Sequence, residues 1–280
     1  MIIIFSKVSS LSVGFSCLLF LWTSVCHPDA TRDFEDPEFL INYAYATWIG
    51  TGIYTVGDRQ VYTLRVPYSS HELKEAQGKR PGFRLLFPLT LGFETFEEIP
   101  ENLATFAFVP GLEVNIPVTT NWHLKPFIQG GYGNDNHGGQ GAWIYGGGIR
   151  SVAQFQVNRW RYDLGNTLMG ASQQYSDDTY DNGFSMFEIG LNLVNPWRFN
   201  FLDQRSRVDT FFIYTNFIDD LDILFANRTR DEVNELYQFG VALVPDGQFR
   251  IGFISFKGLG VSLMAGDGIQ AIRFHTGFPF

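Results

Sequence analysis

Cysteine is nearly absent from this sequence. The 280 residues include two cysteines, Cys17 and Cys26, and both lie within the first 26 residues. After residue 26 the chain therefore has neither a disulfide nor a thiolate metal site. A domain of this length without cross-links depends on packing and on its hydrogen-bond network, and a closed β-barrel satisfies its backbone groups in that way.

Long apolar runs are missing from the chain beyond its first 26 residues. A bundle of transmembrane helices is excluded, because each helix would need about 20 consecutive apolar residues. The mean hydropathy is close to zero, which is ordinary for a soluble protein. It does not exclude a membrane protein, since a transmembrane strand of about 9 to 11 residues shows only alternate side chains to lipid.

Basic residues are few. Lysine and arginine number 20 against 29 aspartate and glutamate residues, giving a net charge of −9. A nucleic-acid-binding domain needs a basic face, and this composition does not supply one. We predict no nucleic-acid partner.

The first 26 residues have the order of a secretory signal peptide. Lys7 precedes an apolar core at about Val13–Val25, and His27–Pro28 breaks the pattern. Ser24–Cys26 fits a cleavage site, so we interpret residues 1–26 as a signal peptide. A single membrane anchor is the alternative, which is disfavoured because the core is shorter than the roughly 20 residues of a spanning helix.

Side chains alternate with a period of two from residue 41 onward. One face of each run carries large apolar residues, and the other carries glycine, alanine and scattered charges; the clearest runs are Ile41–Ile53, Phe83–Phe93, Phe106–Ile116, Phe187–Leu193 and Tyr237–Leu243. In a soluble β-sandwich the apolar faces are internal and the polar faces meet water. A small and partly charged second face instead favours the crowded, wet interior of a transmembrane barrel.

Aromatic residues collect near the predicted strand ends, as expected of the two interfacial girdles of a membrane barrel. They are Tyr43, Phe93, Phe106, Trp122, Trp143, Trp160 and Trp197. The alternative is that they are core aromatics of a sandwich.

We predict an all-β fold, a transmembrane antiparallel β-barrel of 12 strands that occupies residues 41–280. The strands are predicted at 41–54, 60–68, 82–94, 103–117, 122–132, 141–152, 158–169, 184–195, 207–217, 235–243, 248–264 and 269–280. The stretch 248–264 is interpreted as one strand because its apolar residues keep one phase. An even number of strands places the N- and C-termini on the same, periplasmic side.

The same parity assigns the connections. Turns near 118–121 and 244–247 are predicted to be periplasmic, and loops near 133–140, 170–183 and 218–234 to be extracellular. The last two loops are acidic through Asp177, Asp178, Asp181, Asp219, Asp220 and Asp222. They are interpreted as solvated loops, with divalent cations that bridge lipopolysaccharide as the alternative.

Residues 27–40 form a short N-terminal segment before the first predicted strand. The acidic stretch Asp33–Glu38 would fold back into the lumen as a plug against basic groups such as Arg84 and Arg273. The alternative is a disordered periplasmic tail.

The C-terminal residues extend the alternation to the last position. Phe274, Phe278 and Phe280 share one face of the predicted final strand. Such a strand ending in phenylalanine resembles the signal by which Gram-negative outer-membrane barrels are recognised by the barrel-assembly machinery. The resemblance implies that these three residues form an assembly signal.

Two apolar motifs, Tyr45–Tyr54 (YATWIGTGIY) and Leu85–Phe93 (LLFPLTLGF), resemble the solitary outer-membrane autotransporter-like β-barrel domains. The resemblance covers most of the chain after residue 40. It implies an outer-membrane barrel, similar to an autotransporter translocator, in contact with lipid and lipopolysaccharide. Only His27–Leu40 precede the first predicted strand, so we expect a structural or narrow-pore role without a passenger, and a monomer without cofactors.

Charged residues and histidines on the inward phase of the strands predict a lumenal network of paired charges. They are Arg65, Arg84, Glu113, His123, Lys125, Arg161, Asp163, Glu188, Arg250, Arg273 and His275. They would cross-link the wall and fill the lumen. The alternative is that they set the ion preference of a small pore.

A lipid-modifying enzyme, of the phospholipase or lipid A deacylase type, is the rival functional class. Its chemistry needs an activated nucleophile, usually a serine beside a histidine that a third polar group orients. His123 and His275 lie on the inward phase, but the sequence places no serine convincingly with either. We therefore predict no catalytic, cofactor-binding or metal site.

Overall fold

The computed structural model describes residues 47–56, 59–69, 80–96, 99–100, 105–135, 141–175, 181–224, 230–247, 249–251 and 254–280. These residues belong to one compact unit, residues 36–280. The predicted signal peptide, the segment 27–40, residues 41–46 of the first predicted strand, and Asp177 and Asp178 lie outside the described residues. Within the described ranges, no helix has the length and apolar character needed to cross a membrane.

Twelve antiparallel strands form a closed barrel. In chain order they are β1 (Gly52–Val56), β2 (Arg59–Ser69), β3 (Gly82–Phe96), β4 (Thr105–Phe108 and Gly111–Thr119), β5 (Trp122–Asp135), β6 (Gly141–Val157), β7 (Trp160–Tyr175), β8 (Asp181–Val194), β9 (Gln204–Leu224), β10 (Arg230–Pro245), β11 (Leu259–Gly266) and β12 (Ile269–His275). Each strand pairs with the next, and β12 closes the barrel on β1. The predicted strand number and antiparallel order are confirmed.

The first strand begins and the last strand ends at the same end of the barrel, because Gly52 pairs with Arg273 and Val56 pairs with Ile269. We call this the terminal end, and the opposite one the loop end. The terminal end carries the tight turns at 120–121 and 158–159. It also carries a small hairpin between β10 and β11.

That hairpin corrects the prediction of one strand over 248–264. Residues Phe249–Ile251 pair with Ile254–Phe256 in a separate two-stranded sheet, and β11 begins only at Leu259. Arg250, predicted to face the lumen from a barrel strand, lies in this hairpin. Hairpin strands alternate with the same period as barrel strands, so phase could not distinguish the two arrangements.

Strands at the loop end are longer than predicted. β7 continues to Tyr175, β8 begins at Asp181, and β9 has 21 residues and ends at Leu224. The prediction that the acidic residues of this end lie in loops is therefore wrong for Asp181, Asp219, Asp220 and Asp222, which lie in strands. The alternative that they bind divalent cations assumed that they were loop residues. Ladder hydrogen bonds join backbone groups and do not depend on the polarity of the side chains, so the strands continue through these aspartates.

The first strand is shorter than predicted. Residues 47–51, placed in a strand over 41–54, are not strand in the structure, and Trp48 and Ile49 pack against the buried interior cluster. Gly50 has a φ of 86°, a left-handed conformation that glycine adopts without steric cost. Tyr54 Oη donates to Ile49 O at 2.6 Å. The chain thus turns from the lumen into the wall at Gly50.

The outer face of the barrel is apolar and exposed, and the inner face holds buried polar groups. Ile128 is 66% exposed, Leu263 64% and Phe239 59%. Buried polar and charged residues of the inner face include Glu113, Gln129, Asp163, Thr167, Gln173, Asn192, Asp209, Gln238 and Ser262. Soluble proteins show the opposite arrangement. The predicted alternation of large apolar and small or polar faces is confirmed for β3, β8 and β10.

The last five residues correct the predicted final strand. β12 ends at His275, and only Phe274 of the three phenylalanines faces outward on a strand, 54% exposed. Gly277 has a φ of 131°, which a side chain would strain. The chain turns there toward the lumen, so that Phe278 and Phe280 do not share a strand face with Phe274.

The terminal aromatic pair crosses the lumen to the opposite wall. The ring centroid of Phe278 lies 6.0 Å from that of Phe211 on β9 and 4.9 Å from that of Phe280. A Cβ at Gly165 on β7 would lie 2.3 Å from the Phe280 ring, and one at Gly190 on β8 would lie 2.5 Å from it. Because these two inward glycines have no side chains, the ring of Phe280 packs directly against the wall there. We call residues 276–280 the lumenal tail.

Candidate functional site in the barrel lumen

An ion-pair group lies on the inner wall of β3, β4 and β6. Glu113 is 4% exposed, and its Oε2 accepts from Arg150 Nη1 at 2.9 Å. Arg84 Nη1 is 3.7 Å from Glu113 Oε1. The guanidinium carbon of Arg150 lies 4.2 Å above the ring centroid of Phe127, a cation–π geometry. The structure thus brings the predicted residues Arg84 and Glu113 together, and Arg150 adds a second cation to the same carboxylate.

Arg150 was not among the predicted lumenal residues. The run Gly146–Gly148 beside it shows no alternation, so the phase of β6 was not evident. Trp143, Tyr145 and Ile149 are all exposed. Because these outward residues all have odd numbers, the even-numbered Arg150 is expected to face the lumen, and this pattern could have identified it.

A second ion-pair group lies near the terminal end. Arg161 Nε donates to Asp163 Oδ1 at 3.0 Å, and Asn192 Nδ2 donates to Asp163 Oδ2 at 3.1 Å. Arg207 Nε donates to Asp209 Oδ1 at 2.8 Å. The Arg161–Asp163 pair links predicted residues, whereas the sequence prediction did not include Arg207 and Asp209.

Three inward cations have no ion pair within the described part of the chain: Arg65, Lys125 and Arg273. The Nε atoms of Arg65 and Arg273 are buried without a hydrogen-bond acceptor. Arg273 Nη1 donates to Gln238 Oε1 at 2.6 Å. The predicted residue Glu188 accepts from Thr215 Oγ1 at 3.3 Å, and the Nδ1 of His123 lies 3.0 Å from Asn115 Oδ1.

The charged side chains that the structure describes inside the barrel are mostly basic, although the chain as a whole is acidic. Among the residues whose side chains the structure describes, the inward cations are Arg65, Arg84, Lys125, Arg150, Arg161, Arg207 and Arg273, and the inward anions are Glu113, Asp163, Glu188 and Asp209. The chain as a whole has a net charge of −9. The described lumen is therefore a cationic interior within an acidic protein.

A serine and a histidine meet on the inner wall of β11 and β12. Ser262 Oγ lies 2.5 Å from His275 Nε2. Gln238 Nε2 donates to Ser262 Oγ at 2.9 Å and lies 3.0 Å from the same histidine nitrogen. The expectation that no serine accompanies either inward histidine is wrong for His275. In the β11–β12 ladder Ser262 pairs with Arg273 and His275 pairs with Gly260, so the two side chains are diagonal neighbours, a relation that depends on register.

The surroundings of this pair do not resemble a working active site. Ser262 is 2% exposed, and the ring of Phe211 stands edge-on at 5.3 Å from that of His275. Among the described residues, no acceptor holds His275 Nδ1. A serine nucleophile needs substrate access and a histidine oriented through its second nitrogen, and neither is present in this arrangement.

Aromatic residues lie at both ends of the outer face. Trp160 and Trp197 contact at the terminal end with 5.7 Å between ring centroids, and Tyr132 and Trp143 contact at the loop end at 5.3 Å. Trp122 begins β5 at the terminal end, whereas Phe106 and Trp143 lie near the loop-end starts of β4 and β6. Tyr43 and the side chain of Phe93 lie outside the description.

The β11–β12 turn is fastened to β10 by a carboxylate. Asp267 Oδ2 accepts from the backbone amides of Asn234 at 2.9 Å and Glu235 at 3.0 Å. These two hydrogen bonds stabilise the charged form and hold the pKa of Asp267 below its usual value. Elsewhere in the described residues, no group of three histidine, cysteine or acidic side chains is arranged to hold a metal ion.

Comparison with protein-family models gives no match for this chain, and comparison with curated proteins gives none either. The resemblance to solitary autotransporter-like domains stays a prediction.

Proposed function

We propose that this protein is an integral barrel of the bacterial outer membrane, delivered by its signal peptide. The observation that supports the proposal is the inversion of the fold: the closed wall exposes apolar side chains around its outside and buries charged and amide groups inside. A closed barrel leaves no strand edge unpaired, as lipid requires. Its contacts would be membrane lipid, lipopolysaccharide and the barrel-assembly machinery.

The dimensions of the outer face agree with a membrane. Trp143 and Phe155 both point outward from β6, and the 12 residues from one to the other extend about 40 Å along a strand. A strand tilt of about 45° reduces that to roughly 28 Å along the barrel axis. The apolar band of outer-membrane barrels is about 25 Å tall and is flanked by aromatic girdles.

The role that the lumen supports best is structural, with a narrow interior that its own side chains occupy. Phe211 and Ile144 are among the largest fully buried side chains, and the lumenal tail crosses the terminal end. Glu113 on β4 joins β3 and β6 through its ion pairs with Arg84 and Arg150, and Asp163 on β7 joins β8 by accepting a hydrogen bond from Asn192. This role resembles that of an autotransporter translocator domain without its passenger.

Heat-modifiable migration combined with membrane fractionation tests the proposal. We expect the native protein to sediment with the outer membrane and to migrate faster on a gel before boiling than after it. A resident inner-membrane protein in the same gradient serves as the control. Recovery in the soluble fraction, or equal mobility of boiled and unboiled samples, would contradict the proposal.

A lipid-modifying enzyme is a second candidate because of one contact, the 2.5 Å approach of Ser262 to His275. Comparing phospholipid and lipid A profiles of cells that express the wild type or Ser262→Ala tests it. An enzyme predicts a product that disappears with Ser262→Ala and persists with Ser206→Ala, which changes a buried serine of β9. Identical profiles for wild type and Ser262→Ala would exclude this candidate.

A further inference from the structure

Two arginines in the lumen have hydrogen-bond donors without an acceptor in the described part of the protein. Arg65 on β2 and Arg273 on β12 each have a buried Nε without an acceptor. The guanidinium of Arg65 makes no hydrogen bond within the described residues, since the contacts of Arg65 with Thr51 use its backbone. Native proteins satisfy nearly all buried polar groups. Two orphan guanidinium donors in one lumen therefore indicate a missing acceptor.

The two arginines face the same part of the lumen. They flank β1, whose inward residue at this level is Gly52, paired with both Arg273 and Thr63. The ring of Tyr54, the next inward residue of β1, lies over Gly52, since its Cε2 would be 3.1 Å from a Cβ at that position. Arg65 lies within electrostatic range of Arg273 and Arg150. Three like charges near one another in the barrel interior cost free energy unless a counter-charge is present.

The nearby carboxylates do not supply that counter-charge. Glu113 is engaged by Arg150 and Arg84. Glu188 interacts electrostatically with Arg273 and Arg150, but it forms no ion pair with either within 4.0 Å and is held by Thr215. Lys125 adds a further positive charge on β5. A small group with negative charge and several acceptor oxygens would meet both needs at once.

The inner segment before β1 closes one side of this part of the lumen. A Cβ at Gly50 would lie 3.0 Å from Arg273 Nη2, so the backbone of Gly50 already packs on the guanidinium. The indole Nε1 of Trp48 is also buried without an acceptor. The ring of Trp48 lies against that of Phe127, with 5.5 Å between the centroids, so the segment packs along the inner wall.

We propose that Arg65 and Arg273 form a binding site for a small oxyanion inside the barrel. A planar guanidinium matches the oxygen pairs of phosphate or carboxylate through two parallel hydrogen bonds, and Arg65 has its whole guanidinium available. The site goes beyond the proposed function, since it requires only that a small anion reaches these side chains within the narrow lumen. Binding itself is measured on the protein in detergent, independently of its location.

Inorganic phosphate is the probe. The protein extracted from membranes is titrated with phosphate at pH 7 and constant ionic strength, with sodium chloride as the balancing salt, and heat release is measured. We expect saturable binding by the wild type. Arg65→Gln and Arg273→Gln should each weaken it by about tenfold or more, the effect of losing a hydrogen bond to a charged group. Arg159→Gln, in an exposed turn, should bind as the wild type does.

Two results would overturn the site. One is a wild type without saturable phosphate binding, as a lumen filled by water alone would give. The other is unchanged affinity in both glutamine variants, which would place the anion elsewhere. Since the first readout needs no substitution, it decides even if the variants fail to fold. Arg65→Lys and Arg273→Lys, which keep the charge but lose the planar fork, should weaken binding less than glutamine does.

The outcomes separate this site from the proposed function. A barrel that binds phosphate but is absent from the outer membrane contradicts the proposed function and leaves the site standing. A barrel in the outer membrane that binds no phosphate contradicts the site alone.

Discussion

Arg150 Nη1 lies 2.9 Å from Glu113 Oε2, across the width of β5. We predict that Glu113→Gln destabilises the barrel by about 3 kcal/mol, because it leaves buried positive charge without its partner. Urea unfolding in detergent, followed by tryptophan fluorescence, measures the loss. The exposed pair of Arg198 and Asp246 gives the control, since Asp246→Asn should cost less than about 1 kcal/mol. Equal effects of the two substitutions would contradict this assignment.

A charge on the outer face distinguishes lipid from water as its surroundings. Ile128 is 66% exposed in the middle of β5. In water, Ile128→Lys would change stability little, whereas near the bilayer midplane it should cost about 2 to 4 kcal/mol. Unfolding of the protein refolded into lipid vesicles measures the cost. Asn121→Lys, in the turn before β5, should be neutral; a neutral Ile128→Lys in vesicles would argue against the membrane.

The packing of the lumenal tail against the wall gives a prediction about conductance. Gly190→Leu places a side chain where the Phe280 ring lies, since a Cβ there would already be 2.5 Å from it. We expect displacement of the tail and a larger single-channel conductance in planar bilayers than for the wild type. Pro279→Ala changes an exposed tail residue that makes no ring contact and should leave the conductance unchanged. Equal traces for Gly190→Leu and wild type would show that the tail does not limit flow.

Asp267 predicts a pH dependence. Its pKa is lowered in the folded state by the amides of Asn234 and Glu235, so its stabilising effect is complete above the unfolded value of about 3.9 and is lost as pH falls through the lower folded value. Amide hydrogen exchange at Asn234 and Glu235 measures this locally. Asp267→Asn should speed exchange at pH 6, and the difference from wild type should shrink in acid; a pH-independent difference would contradict the mechanism.

The strands of the barrel wall could be predicted from the sequence, whereas the contacts inside the lumen could not. Alternation identifies a strand and its outward face from neighbouring residues alone, which is why β8 and β10 were predicted with the correct phase. Contacts across the lumen join residues far apart in sequence. The placement of Phe280 against Gly165 depends on closure of all 12 strands, and no local pattern contains it.

Errors at the candidate site have the same cause. Ser262 and His275 meet because β11 and β12 pair in one register, and a shift of one residue would turn one of them outward. At Gly50, a single left-handed residue redirected the chain that alternation would have continued as a strand. The alternation of side chains does not show the backbone angle of a glycine, so the turn at Gly50 was not evident from the sequence.

The strands differ greatly in length around the barrel. Five residue pairs join β1 to β12, whereas 15 join β9 to β10. Under a pulling force the wall would part where the fewest bonds share the load, so the chain should peel open beside β1. Five pairs also join β1 to β2, so among the described strands the wall has its weakest joints on the two sides of β1, where the first strand meets the last.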